Sequence, residues 1–282
     1  MKKMKSSLAL TATCLLGTLI CAQQPPAGPP KIAVLIITGQ NSHNWKNSTP
    51  ALRKVLEDTG RFDVRVTEEF RGASAETLAP YSVAIVNYSD PRGDRTLRWG
   101  AKTDEAVLDF VRSGKGLVIY HWAVAAFDGW TEYEKLSGGS WRPNNGHHSA
   151  RHDFVVEIKD PEHPITKGLN ASFPQTNDEL YANLRWQPAG SLHVLATAYD
   201  DHALYQTTRR TDANAPQPLE GPGADEPMFW TVDYGQGRVF DTVMGHDDTN
   251  IVTPAFATML ARGTEWAATG KVTLPIPAGM AK

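Results

Sequence analysis

Residues 31–38, KIAVLIIT, form an almost unbroken run of apolar strand formers. A run without polar alternation suits a strand covered on both faces, the position of a central strand in a parallel sheet. YSVAIVNY (81–88) and GLVIYH (116–121) repeat the pattern, and FDVRVTEE (62–69) alternates as a half-exposed strand does. Helical stretches lie between them. One is capped by Ser48 or Thr49, has Pro50 in its first turn and runs to Gly60. Another opens at Thr103-Asp104-Glu105 and turns Val107, Leu108 and Val111 inward. Each start carries a capping residue or a first-turn proline. Strand–helix alternation with short connections dictates an α/β fold: a doubly wound, mostly parallel sheet flanked by helices, with right-handed crossovers. The second half is richer in strands, at 153–158, 192–199, 227–234 and 237–245, the last two a hairpin around Gly235-Gln236-Gly237. Residues 207–224 read as an exposed loop, and Pro254 starts an amphipathic helix that Gly270 closes. Residues 31–270 are therefore one domain, followed by a tail at 271–282.

The N-terminus has a different character. Lys2, Lys3 and Lys5 precede an apolar stretch from Ser6 to Ile20, and Ala22 offers a cleavage point before Gln23. This is the layout of a signal peptide over residues 1–22, too short for a stable membrane anchor. Residues 23–30 form a Pro-rich tether, and the expected location is secreted or periplasmic. Both cysteines, Cys14 and Cys21, lie in the leader, so the mature chain has no thiol nucleophile, disulfide or thiolate ligand. Removing the three leader lysines takes the net charge from −3 to −6. Without a basic footprint, nucleic acid is excluded as a partner. Eight Trp and eight Tyr are compatible with stacking on a small-molecule carbohydrate.

In an open α/β sheet, ligands bind beyond the carboxyl ends of the strands. Four polar segments project there: Gly39 to Trp45, Asn87 to Asp94, His121-Trp122, and Gly245-His246-Asp247-Asp248. Two further clusters occupy connections, His147-His148 with His152, and Asp178-Glu179-Leu180-Tyr181. His121 and His246 are the leading site candidates, with His43 beside them. Adjacent His147 and His148 point apart on any regular element, so at most one faces the crevice, and His148 is favoured. For Asp247 the plainer role is to cap the following turn. His163, His193 and His202 read as structural or surface residues. The sequence lacks a G-x-S-x-G elbow, a G-x-G-x-x-G turn, a P-loop and an H-E-x-x-H helix. A nucleotide cofactor is therefore not expected. Imidazoles with a carboxylate suit a zinc-like divalent cation, or metal-free acid–base catalysis.

GKGLVIYHWAVAAFDGW (114–130), WRPNNGHH (141–148), DPEHPITKGL (160–169), DELY (178–181) and DEPMFWTVDYGQGRVFDTVMGHDD (225–248) together resemble the ThuA-like, trehalose-utilisation family. The resemblance implies a class I glutamine amidotransferase-like, flavodoxin-like fold. It places His121 where true amidotransferases carry their nucleophilic cysteine, which makes glutaminase chemistry implausible. It also implies catabolism of sugars oxidised at C3, often beside a sugar oxidoreductase as partner. On this basis His121, His246, Glu179 and His148 are the catalytic candidates, Glu179 on the resemblance alone. His121, His246 and Glu179 are also the metal candidates. His43, Trp45, Trp122, Trp141 and Asp247 are assigned to substrate. A lyase, hydrolase or isomerase acting on 3-keto-glycosides by proton abstraction is the expected activity. A non-catalytic periplasmic sugar-binding protein, or an assembly partner of the oxidoreductase, is the alternative.

Overall fold

The computed structural model describes residues 30–90, 95–205 and 223–282. The expected leader, the tether up to residue 29 and nearly all of the 207–224 loop lie outside them. In chain order the first half runs β1 (Ile32–Ile37), α1 (Trp45–Asp58), β2 (Phe62–Thr67), α2 (Ala75–Leu78), β3 (Val83–Val86), α3 (Ala101–Arg112) and β4 (Gly116–Tyr120). A 3-10 turn (His121–Ala125), α4 (Thr131–Ser137), β5 (Gly139–Ser140) and β6 (His147–His148) lead into the strand-rich half. That half holds β7 (His152–Ile158), β8 (Ser172–Asp178), β9 (Tyr181–Ala182), β10 (Arg185–Trp186), β11 (His193–Asp200), β12 (Ala224–Tyr234) and β13 (Gly237–Thr242). α5 (Asp248–Ile251) and α6 (Pro254–Thr269) follow.

Nine strands make one sheet in the order β2-β1-β3-β4-β13-β12-β11-β7-β8. The pairings from β2 to β13 are parallel, and those from β13 to β8 are antiparallel. The apolar runs fall where burial on both faces demands them: β3 and β4 are buried at every position. α1 packs with α6 on one face of the sheet, and α3 and α4 cover the other. The β12–β13 hairpin returns the chain beside β4, so the carboxyl ends of β1, β3, β4 and β13 share one edge.

Two helix starts differ from the sequence expectation. α1 begins at Trp45, five residues before Pro50, which sits inside the helix. The hydroxyls of Ser48 and Thr49 are not caps; both accept from the Asn87 amide at 3.1 Å, and Thr49 also bonds Thr38. Pro50 is tolerated because the carbonyl it leaves unpaired, that of Lys46, lies on the exposed first turns. α3 begins at Ala101 after Gly100, and the Thr103 hydroxyl donates to the Ala73 carbonyl instead.

The segment expected as a tail is bound to the body. Val272, Leu274 and Ile276 pack on the core, and Met280 is buried. Arg262 donates to the Leu274 carbonyl at 2.8 Å, while the Thr273 hydroxyl and the backbone N–H groups of Thr273 and Leu274 donate to the Glu265 carboxylate. Residues 31–282 form one compact unit. Among the described residues no helix is long and apolar enough to cross a membrane.

Candidate functional site

β4 delivers His121 to the carboxyl edge of the sheet. The residue has a φ of +50°, a left-handed conformation costly for a side chain with a Cβ, and the chain turns sharply there into the 3-10 segment. The surroundings enforce the bend. Tyr133 donates to the Ala123 carbonyl at 3.0 Å, and fully buried Arg142 donates to the carbonyls of Val124 and Ala126 while pairing with Glu134 at 2.7 Å. His121 Nδ1 lies 2.7 Å from the Val243 carbonyl. A carbonyl only accepts, so Nδ1 carries the proton and Nε2 presents a lone pair to the crevice. Burial and the neighbouring His43 push its pKa well below the ordinary value and keep the ring neutral.

His246 arrives from the next strand, β13, through a turn at Gly245. Gly245 has a φ of +92°, and a Cβ there would meet the Phe256 ring at 2.8 Å. That loop is held by Asp178, at the end of β8. One Asp178 oxygen accepts from the Gly245 N–H at 2.8 Å and from Gln175; the other accepts from the His246 N–H at 3.0 Å and the Glu179 N–H at 2.8 Å. Burial raises the Asp178 pKa, and these donors work against that rise. Asp178 thus ties His246 and Glu179 to each other.

His43 comes from the loop after β1. Its N–H donates to the Asn41 side chain at 2.9 Å, and Asn41 in turn bonds Asn87 at the end of β3. One nitrogen each of His43, His121 and His246 and one oxygen of Glu179 lie within 4.8 Å of one another. Glu179 Oε2 is the hub, at 3.6 Å from His43 Nε2, 3.6 Å from His121 Nε2 and 3.0 Å from His246 Nδ1. Burial would raise the pKa of Glu179, but the approach of His246 and His43 holds it below the ordinary glutamate value.

The donor set fits a divalent cation of the zinc type. Ligands on a tetrahedral zinc ion stand about 3.3 Å apart, close to the separations around Oε2. Glu179 Oε2 and His246 Nδ1 are buried without a hydrogen-bond partner among the described residues. Such orphaned groups mark a place for an ion or water. Tyr181 lies alongside, its hydroxyl 3.0 Å from His121 Nε2. Since Nδ1 holds the imidazole proton, the phenol is the donor in that bond.

The sequence candidates divide in space. His121, His246 and Glu179 come together, and His43, assigned to substrate, joins them with a ligand atom. His148 Nε2 is 3.6 Å from Glu179 Oε1 and about a third of its side chain is exposed, so it borders the opening. Trp122 packs against His43 with ring centroids 5.5 Å apart, and Trp141 packs against Trp122 and His148. Trp45 is not brought there: it lines a separate cleft with Lys46, Arg53, Val66 and Glu68, because the early start of α1 carries it away. Asp247 is also a correction. It caps α5, accepting from the Thr249 and Asn250 N–H groups, and its other oxygen pairs with Arg151 at 2.7 Å. Its carboxylate is committed within the fold. Asp178 and Tyr181 escaped the site assignment, although both stand in the DELY motif that carries the resemblance.

The family model for trehalose utilisation, ThuA, matches residues 33–267. A ThuA-like protein of Parabacteroides merdae is 31% identical, with 90% of this chain and 95% of that one covered and a TM-score of 0.75. A ThuA-like protein of Bacteroides uniformis is 21% identical over 89% and 97% of the two chains, with a TM-score of 0.62. A β-galactosidase of Rahnella sp. R3 shares the fold over 33% of its own length, at 15% identity and a TM-score of 0.54. No match was found among the curated proteins. With its parallel sheet edge, flanking helices and histidine at the strand-to-turn elbow, the chain belongs to the ThuA, trehalose-utilisation, family.

Proposed function

We propose that this protein acts on a 3-keto-glycoside, removing the acidified proton at C2 and expelling the C1 substituent. The observation that carries this reading is the group of three imidazole nitrogens around Glu179 Oε2 at the carboxyl edge of the sheet, with His121 and Glu179 buried and His43 and His246 half-buried. His43, His121, His246 and Glu179 would hold the divalent cation, which supplies Lewis-acid polarisation of a carbonyl oxygen when bound. His148 is left outside that ligand set, with Nδ1 donating to the Ser149 carbonyl and Nε2 directed to the opening. It takes the C2 proton as the C1–O bond breaks, the C2–H electron pair forms the C1–C2 double bond, and His148 then hands the proton it has collected to the departing oxygen. Trp122 and Trp141 wall the opening and suit an apolar sugar face. The expected leader supports a location outside the cytoplasm, where an oxidoreductase that makes the ketone would supply the substrate.

Purified protein incubated with a 3-keto-glucoside should release the aglycone, lose that activity to a chelator and regain it with one divalent ion. Saturable binding without product would overturn the reading in favour of a sugar-binding protein. Turnover indifferent to chelator would remove the cation and leave plain acid–base catalysis.

A further inference from the structure

The two residues of β6 face opposite ways. His148 looks to Glu179, and His147 looks to a second buried group on the other side, formed by Asp200 at the end of β11 and Glu226 in β12. The register pairs Ala198 with Glu226 and Asp200 with Ala224, so Asp200 and Glu226 are diagonal neighbours on one face. All three side chains are shut off from solvent: His147 is 3% exposed, Asp200 0% and Glu226 7%.

Their hydrogen bonds do not close. His147 has no partner at either ring nitrogen, and Asp200 Oδ2 has none, among the described residues. His147 Nε2 and Asp200 Oδ2 face each other at 3.8 Å, too far to bond and within about half an ångström of the spacing of two ligands on one ion. Two further oxygens are tied back. Tyr205 donates to Asp200 Oδ1 at 2.8 Å, and the Asn183 N–H donates to Glu226 Oε1 at 3.0 Å. Asp200, with one oxygen steadied by a donor and the other free, has the usual dress of a metal ligand.

We propose that His147 and Asp200, with Glu226 beside them on the same sheet face, form a second cation site, behind β6 and separate from the Glu179 cluster, taking a divalent ion that accepts an imidazole. An imidazole with two carboxylates suits zinc and similar transition ions and disfavours calcium or magnesium, which take oxygen alone.

The test counts bound Zn²⁺ after dialysis in wild type, Glu179→Gln and Asp200→Asn, with circular dichroism on each. The expected result is one equivalent retained by Glu179→Gln and removed when Asp200→Asn is added. Glu179→Gln protein that retains no Zn²⁺ overturns the proposal, even where Asp200→Asn fails to fold. So does an Asp200→Asn protein that folds and holds as much Zn²⁺ as wild type, which would leave water as the bridge. Should the Glu179 cluster itself bind no metal, wild type and Glu179→Gln would retain the same single equivalent, so the two readings fail separately.

Discussion

Glu179 and Asp178 are neighbours with opposite duties. Glu179 offers its carboxylate to three imidazoles, and Asp178 spends all its accepting capacity on keeping that arrangement in place. Alanine at His121 or His246 should lower turnover of a 3-keto-glycoside by about 10²–10⁴-fold, as loss of an acid, base or metal ligand does. His202→Ala, on an exposed turn, serves as the control, with circular dichroism recorded for all three. Near-wild-type rates in both variants would refute the assignment. Asp178→Asn places an amide donor against N–H donors and should cost about 3 kcal/mol in a urea melt. His121 and His246 are legible in the sequence because each directly follows an apolar strand whose end must lie at the sheet edge. Glu179 is not: it follows β8, an edge strand of the antiparallel half, and only the tertiary path brings it to β13. His43 was placed near the site but not among the ligands, since a loop residue carries no periodicity to aim it.

Within β13, strand alternation sends Phe240 into the α6 side and Asp241 into the α4 side, where it is fully buried with neither oxygen partnered among the described residues. Burial raises its pKa well above the ordinary carboxylate range. The folded state therefore keeps a proton that the unfolded chain releases near pH 4. The stability this group supports is complete below that pH and is lost as pH rises towards the folded-state value. Asp241→Asn should gain on wild type by up to about 1.4 kcal/mol per pH unit over that window. Urea melts at pH 4 and pH 8 check it, and an equal difference at both would refute it. The strands themselves were readable, because continuous apolar runs leave few alternatives. Helix starts were not: Ser48, Thr49 and Thr103 look like caps, yet their hydroxyls serve tertiary bonds that no local pattern announces.

The whole chain is fastened at its end. Deleting residues 271–282 strips Glu265 of three donors and Arg262 of an acceptor, and uncovers core under Leu274 and Ile276. A melting point lower by about 5–10 °C is expected, and an unchanged one would restore the reading of a free tail. Since Cys14 and Cys21 fall in the expected leader, protein recovered after export should have a mass beginning at Gln23 and melt identically with and without dithiothreitol. A retained leader or a shift with reductant would count against that reading.

The four groups that meet at Glu179 Oε2 come from the loop after β1, the end of β4, the turn after β8 and the loop after β13. Nothing shorter than a chain extended past His246 can assemble them. During synthesis the chain must emerge past His246 before the cluster exists, so a nascent chain that stops short of that point cannot assemble it. Whichever compartment the finished chain folds in offers its own pool of free metals at that moment. On the proposed cation reading, the place of folding, as much as the ligand set, then decides which ion occupies the cluster.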